Sequence, residues 1–203
     1  MIEAIKELNR LYEVLERDTH ICQDKFEKMS TDELKGEESE FWRRAFVRAS
    51  FSLVEGVTYG LKQVALKSQE SGGVVYSDEE LSMLKEKSYD LNDKGDAYSQ
   101  TKYIHITRNI KFAFKAFARA FGEEYELKVD DSGWNYFKEA LEIRNRLTHP
   151  KTSADLDVSL KELRKMLLAN AWFIDSYLAL NSIILGYVEK EIDGLDKELG
   201  GHA

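Results

Sequence analysis

The run Arg144-Asn145-Arg146-Leu147-Thr148-His149-Pro150 holds the residue types best suited to chemistry. On a helix, Asn145 and His149 are four apart and share a face. Arg144 lies about 140° around from His149 on an ideal helix, and fraying of the last turn before Pro150 would swing the imidazole closer. Histidine is the side chain that ordinarily titrates near neutrality. Beside a fixed guanidinium it meets the needs of phosphodiester chemistry without a metal. The imidazole moves protons, and the guanidinium stabilises charge building on the phosphate oxygens. The same residues also make an ordinary helix end, because cationic side chains suit a C-terminus and proline stops the helix. Chemistry alone leaves both readings open.

Other site types are missing. The sequence has no C-x-x-C, no H-E-x-x-H and no G-x-S-x-G. His20 and Cys22, two apart, fall on different faces of a helix, so no zinc site is expected. Gly72-Gly73 lacks the lysine of a phosphate-binding loop. Pairs such as Glu37-Glu38 read as solvated helix surface. No metal or cofactor is therefore expected.

Charge is uneven. Lys plus Arg is 29 and Asp plus Glu is 37, a net −8, which argues against a general nucleic-acid coat. Residues 1–40 carry 12 acids against 6 bases, whereas residues 101–122 carry Lys102, Arg108, Lys111, Lys115 and Arg119 and no acid. Arg108, Lys111, Lys115 and Arg119 follow spacings of three, four and four, one line along a helix. That line is either an RNA path or a basic face that is solvated or docked on the acidic N-terminal helix. Phe112, Phe114, Phe117 and Phe121 on the same helix read as core more than as stacking platforms. Glu55 can pair with Arg48 or Arg144, or face water.

The elements that must position these residues are helices. One proline in 203 residues excludes an all-β protein, which needs many turns. A hydrophobic share of 43% supports a core. One cysteine, Cys22, leaves no intrachain disulfide and fits a reducing, cytoplasmic compartment. Apolar spacing predicts a long helix over 2–29. A second runs over 38–69, where Phe46, Leu53, Val57, Leu61 and Val64 adjoin the small residues Ala45, Ala49, Ser52, Gly56 and Gly60. A capping box at Ser77–Glu80 starts a short helix to about Leu91. Further helices are expected over 100–121, over 131–148 and from about Asp157 to Leu195. A brief extended piece is expected at Tyr125–Val129, and a frayed tail at Gly200–Ala203. Trp42, Trp134 and Trp172 are expected core anchors. Asn170 and Asn181, on the apolar stripe of the last helix, fix register or border a cleft. The stretch from Ala169 to Val188 carries too many polar residues for a membrane span. The fold class is all-α: one domain over 1–203, an antiparallel up-and-down bundle with its core over about 38–190 and additional helices.

Arg144-Asn145-x-x-x-His149, near the end of one helix and followed by another long helix, resembles the signature of the HEPN superfamily. The resemblance covers roughly Glu38 to Val188. It implies a small helical bundle and, for many members, a metal-independent endoribonuclease found in toxin–antitoxin pairs, antiviral systems or RNA processing. It further implies a homodimer with a composite site across the interface, and RNA or an antitoxin as partner; no membrane is expected, from the polar residues of the last helix. Carried over, His149 is the general base or acid acting on a ribose 2′-OH to leave a 2′,3′-cyclic phosphate. Arg144 stabilises the transition state and Asn145 orients His149 or the phosphate. Arg146 and Lys151 add phosphate contacts by position alone. The alternative is a non-catalytic HEPN-like module that binds a protein partner or a nucleotide.

Overall fold

Apolar residues recurring every three or four positions give six helices: α1 (Ile2–Glu27), α2 (Glu37–Glu70), α3 (Asp78–Leu84), α4 (Ile106–Ala120), α5 (Ser132–Thr148) and α6 (Leu160–Gly200). Between α3 and α4 lies an antiparallel hairpin, β1 (Lys87–Leu91) and β2 (Ala97–Thr101), with Tyr89 opposite Ser99. Short 3-10 turns occupy Glu33–Lys35 and Ser153–Leu156. The structure, a computed structural model, describes residues 1–200, with side chains described through Tyr187. Of the tail expected at Gly200–Ala203, Gly200 ends α6 and residues 201–203 lie outside the described residues, as does the side chain of Val188. The expected all-α bundle is what forms.

α2 is the central helix. Phe46, Leu53, Val57, Leu61 and Val64 are fully buried along it, each worth about 1.5–3 kcal/mol of transfer free energy. Its glycines let α1 come close. A Cβ at Gly56 would stand 2.6 Å from Leu15 Cδ1, and one at Gly60 2.7 Å from Leu8 Cδ1. α1 and α2 are antiparallel, since Phe26 also meets Phe46 at the far end. α5 and α6 form the second antiparallel pair. Trp134 stacks on Phe137 at 5.4 Å, and both rings pack on Trp172. α2 and α4 instead run the same way, Lys62 meeting Asn109 and Ser68 meeting Ala120, because α3 and the hairpin return the chain.

The hairpin is the main departure from the sequence-based expectation, which continues a helix to Leu91 and starts the next at Gln100. Nearly every residue of both strands is exposed. A ribbon with no buried face has no apolar alternation to read. Its turn is built by Asn92, whose Oδ1 accepts from the backbone N–H groups of Lys94 and Asp96; Gly95 takes φ +80°. The capping box at Ser77 and Glu80 forms as expected, as does the Asp131 cap on Trp134 N. Tyr125–Val129 stays irregular, and α6 continues past Leu195. Trp134 and Trp172 are buried. Trp42 is only partly so, with Lys25 over its ring.

Within α6, Leu160–Tyr187 is long and apolar enough, by length and composition, to cross a membrane. Met166, Phe173, Tyr177 and Leu180 of that stretch join the core, while Leu168, Leu178 and Leu185 are exposed.

Candidate functional site

The C-terminal turn of α5, the middle of α2 and the start of α4 enclose a cleft of about 430 Å³. Its walls include Glu55, Thr58 and Tyr59 from α2, Asn109 from α4, and Leu141, Arg144 and Asn145 from α5. The chain from Thr101, the end of β2, to Ile106, the start of α4, closes the remaining side. Arg144 Nη2 donates to Glu55 Oε1 at 2.5 Å, and Nη1 to Asn145 Oδ1 at 3.3 Å. The guanidinium is thus held in one pose by a carboxylate on a neighbouring helix. Both partners remain partly exposed, so a phosphate can share or displace the carboxylate.

The floor of the cleft is a buried ionic triangle. Lys62 is fully buried. Its ammonium pairs with Glu86 and donates to Asn109 Oδ1 at 3.0 Å, and Asn109 Nδ2 reaches Glu86 Oε1 at 3.4 Å. Burial pushes the Lys62 pKa down, and the raising pull of the Glu86 carboxylate does not fully offset it. Glu86 sits just past α3 with φ +52°, a left-handed conformation usually left to glycine or asparagine. The ion pair explains why a glutamate occupies that position.

The remaining residues singled out in the sequence divide into separate places. His149 caps α5 with a non-helical backbone, its N–H donating to Asn145 O at 3.1 Å. It is exposed and is not among the residues lining the cleft. Arg146 faces away from Arg144. It pairs with Glu162 at 2.9 Å and ties the end of α5 to the start of α6. Lys151 is exposed; its backbone N–H goes to Asp155, whose carboxyl is held low by the N–H groups of Lys151 and Thr152. Glu55 chooses Arg144. Arg48 is exposed, with no ion pair among the described residues.

The basic line of α4 is not uniform. Arg119 is bound to Glu80 at 2.5 Å and lies over the Tyr76 ring. Partial burial pushes the Glu80 carboxyl up, but the Ser77 N–H and Arg119 outweigh it and hold the pKa low. Lys111 lies over the Trp134 ring. Lys115 is exposed beside Arg119 on a separate surface hollow. Only Arg108 stands at the cleft end of α4, exposed and without an ion pair among the described residues. Acidic α1 packs on α2; the acid that meets this line comes from α3. Phe114 and Phe117 are core, as expected. Asn170 lines a small internal void with Ser50 rather than the cleft, and its Oδ1, like that of Asn181, has no hydrogen-bond partner.

Three residues at the site escape a sequence reading: Lys62, Tyr103 and His105. Lys62 is hidden by its type, since lysine is rarely buried unless paired. Tyr103 and His105 gain meaning only from where the hairpin delivers them. The alternation Tyr103-Ile104-His105-Ile106 is the one local sign that this stretch is extended. Among the described residues no group of three or more His, Cys, Asp or Glu side chains is placed to hold a metal ion. Compared with known proteins, the chain matches no family model, no curated protein and no solved structure.

Proposed function

We propose that the chain is a HEPN-like endoribonuclease that cleaves RNA without a metal, acting in the cytoplasm as a homodimer. The observation that carries this reading is Arg144. It is a preset guanidinium on the wall of a cleft, with Asn145 beside it and a histidine four residues further on. In the proposed reaction His149 takes the proton from a ribose 2′-OH. The 2′ oxygen attacks the adjacent phosphorus, the bond to the 5′ oxygen breaks as that oxygen takes up the proton His149 removed, and a 2′,3′-cyclic phosphate and a 5′-OH are left. Arg144 offsets the charge on the phosphoryl oxygens and Asn145 orients the phosphate. In this reading each chain supplies half a site and the second copy brings the imidazole, an arrangement supported by His149 lying outside the cleft that Arg144 lines. A toxin or antiviral role, with an antitoxin as partner, belongs to this reading.

The position of His149 also favours a second reading, a non-catalytic module in which the Arg144 cleft binds a nucleotide or a protein partner. The test is cleavage of a mixed RNA pool in excess EDTA by wild type, Arg144→Ala and His149→Ala, with product ends analysed. The ribonuclease reading expects cyclic phosphate ends from wild type and at least a hundredfold loss in each variant. No cleavage by a dimeric wild type, or full cleavage by both variants, rejects it in favour of the binding module.

A further inference from the structure

The segment from Lys102 to His105, between β2 and α4, is a ridge with a hollow on each side. One is the Arg144 cleft. The other, of about 330 Å³, is lined by the same four residues together with Met83, Arg108 and Phe112. On the ridge stands Tyr103, 88% exposed, the most solvent-accessible large hydrophobic side chain among the described residues. No core contact explains an aromatic ring in that position. The charge around it is one-sided. Lys102 and Arg108 have no ion pair among the described residues, and His105 Nδ1 contacts only Thr107 Oγ1, at 2.9 Å. The two acids nearby, Glu86 and Glu55, are taken up by Lys62 and Arg144.

An open aromatic face flanked by unpaired cations fits one ligand chemistry well: a nucleobase with its phosphate. Base stacking on an aromatic ring needs an unpaired base, because a duplex hides its π faces. We propose that this ridge is a nucleotide-binding subsite for single-stranded nucleic acid, separate from the Arg144–His149 motif. Tyr103 stacks on a base that enters the Met83–Phe112 hollow, while Lys102 and Arg108 hold the flanking phosphates. The next nucleotide then falls into the Arg144 cleft. The RNA path therefore crosses the start of α4 instead of following its length. The choice of RNA over DNA rests on the ribonuclease reading; the ridge itself does not.

The test is fluorescence anisotropy on the full chain with a labelled, uncleavable 2′-O-methyl decanucleotide, single-stranded and annealed to its complement. The proteins are wild type, Tyr103→Ala, Tyr103→Phe and Arg108→Glu. All three substitutions are at exposed positions, and circular dichroism checks the fold. Tyr103→Ala should weaken single-strand binding about tenfold, and Tyr103→Phe should restore it. Arg108→Glu should weaken binding and lower the salt dependence by about one ion. The duplex should bind weakly and ignore Tyr103. Single-strand binding unchanged in Tyr103→Ala, no binding by wild type, or displacement of the oligonucleotide by an acidic peptide whose own affinity depends on Tyr103 would each overturn the proposal. Cleavage is not the readout, so the two readings fail separately. RNA cleavage with Tyr103-independent binding removes the ridge. Tyr103-dependent binding without cleavage removes the ribonuclease.

Discussion

Arg108 and Arg119 share one line of α4 and stand at its opposite ends, yet they do different work. Arg119 is locked onto Glu80 and Tyr76, as part of the packing of α3 on the bundle. Arg108 has no such partner among the described residues and borders the smaller hollow with Tyr103 and His105. The difference comes from what the chain places opposite each end. α3 lays its capping-box glutamate against one. The segment that follows the hairpin, Lys102–His105, lies against the other and carries an aromatic ring and no acid. A row of like charges on a helix thus says little until the neighbouring elements are known. The same holds for α5, where Arg144 is aimed at α2 and the cleft, and Arg146 at α6.

The contrast can be broken by substitution. The largest effect is expected beneath the open end. Glu86→Gln leaves the buried Lys62 ammonium without its carboxylate and should cost about 3 kcal/mol of stability, read as a lower urea midpoint. At the locked end, Arg119→Ala should cost about 1.5 kcal/mol through loss of the Glu80 pair and the Tyr76 contact, with oligonucleotide affinity unchanged. Tyr76→Phe should cost about 1 kcal/mol, because Tyr76 Oη donates to Ala116 O at 2.7 Å. Tyr177→Phe should be close to neutral, since its buried hydroxyl has no partner.

The two tyrosines also sharpen the comparison through pH. Burial pushes each phenol up to about 12, above the unfolded value of about 10. Between those values the unfolded chain has released a proton that the folded chain keeps. Their contribution is therefore intact below pH 10 and is lost as pH rises toward 12. Thermal melts from pH 9 to 11.5 should fall less steeply for either Phe variant than for wild type. Arg108→Ala should likewise change stability little, by less than about 0.5 kcal/mol, while weakening oligonucleotide binding.

The helices were legible in the sequence because each buries one stripe. The paired small residues Gly56 and Gly60 announced a close neighbour, and the caps at Ser77 and Asp131 marked real starts. The hairpin was not legible, since a ribbon solvated on both faces leaves no periodic trace. The candidate site was half legible for the same reason. Arg144, Asn145 and the Glu55 pairing sit on readable helices. Tyr103 and His105 reach the cleft only because the hairpin ends there. Lys62 takes part through a partner, Glu86, that lies on an unpredicted turn.

The proposed ribonuclease activity turns on one chain supplying only half a reactive site. Arg144→Ala and His149→Ala proteins, each inactive alone, would be mixed under conditions that exchange subunits and given labelled RNA in excess EDTA. Cleavage should reappear in the mixture, with 2′,3′-cyclic phosphate ends, because an intact Arg144 then meets an intact His149 from the other copy. A mixture as inactive as either variant alone, beside a wild type that cleaves, would contradict the half-site arrangement.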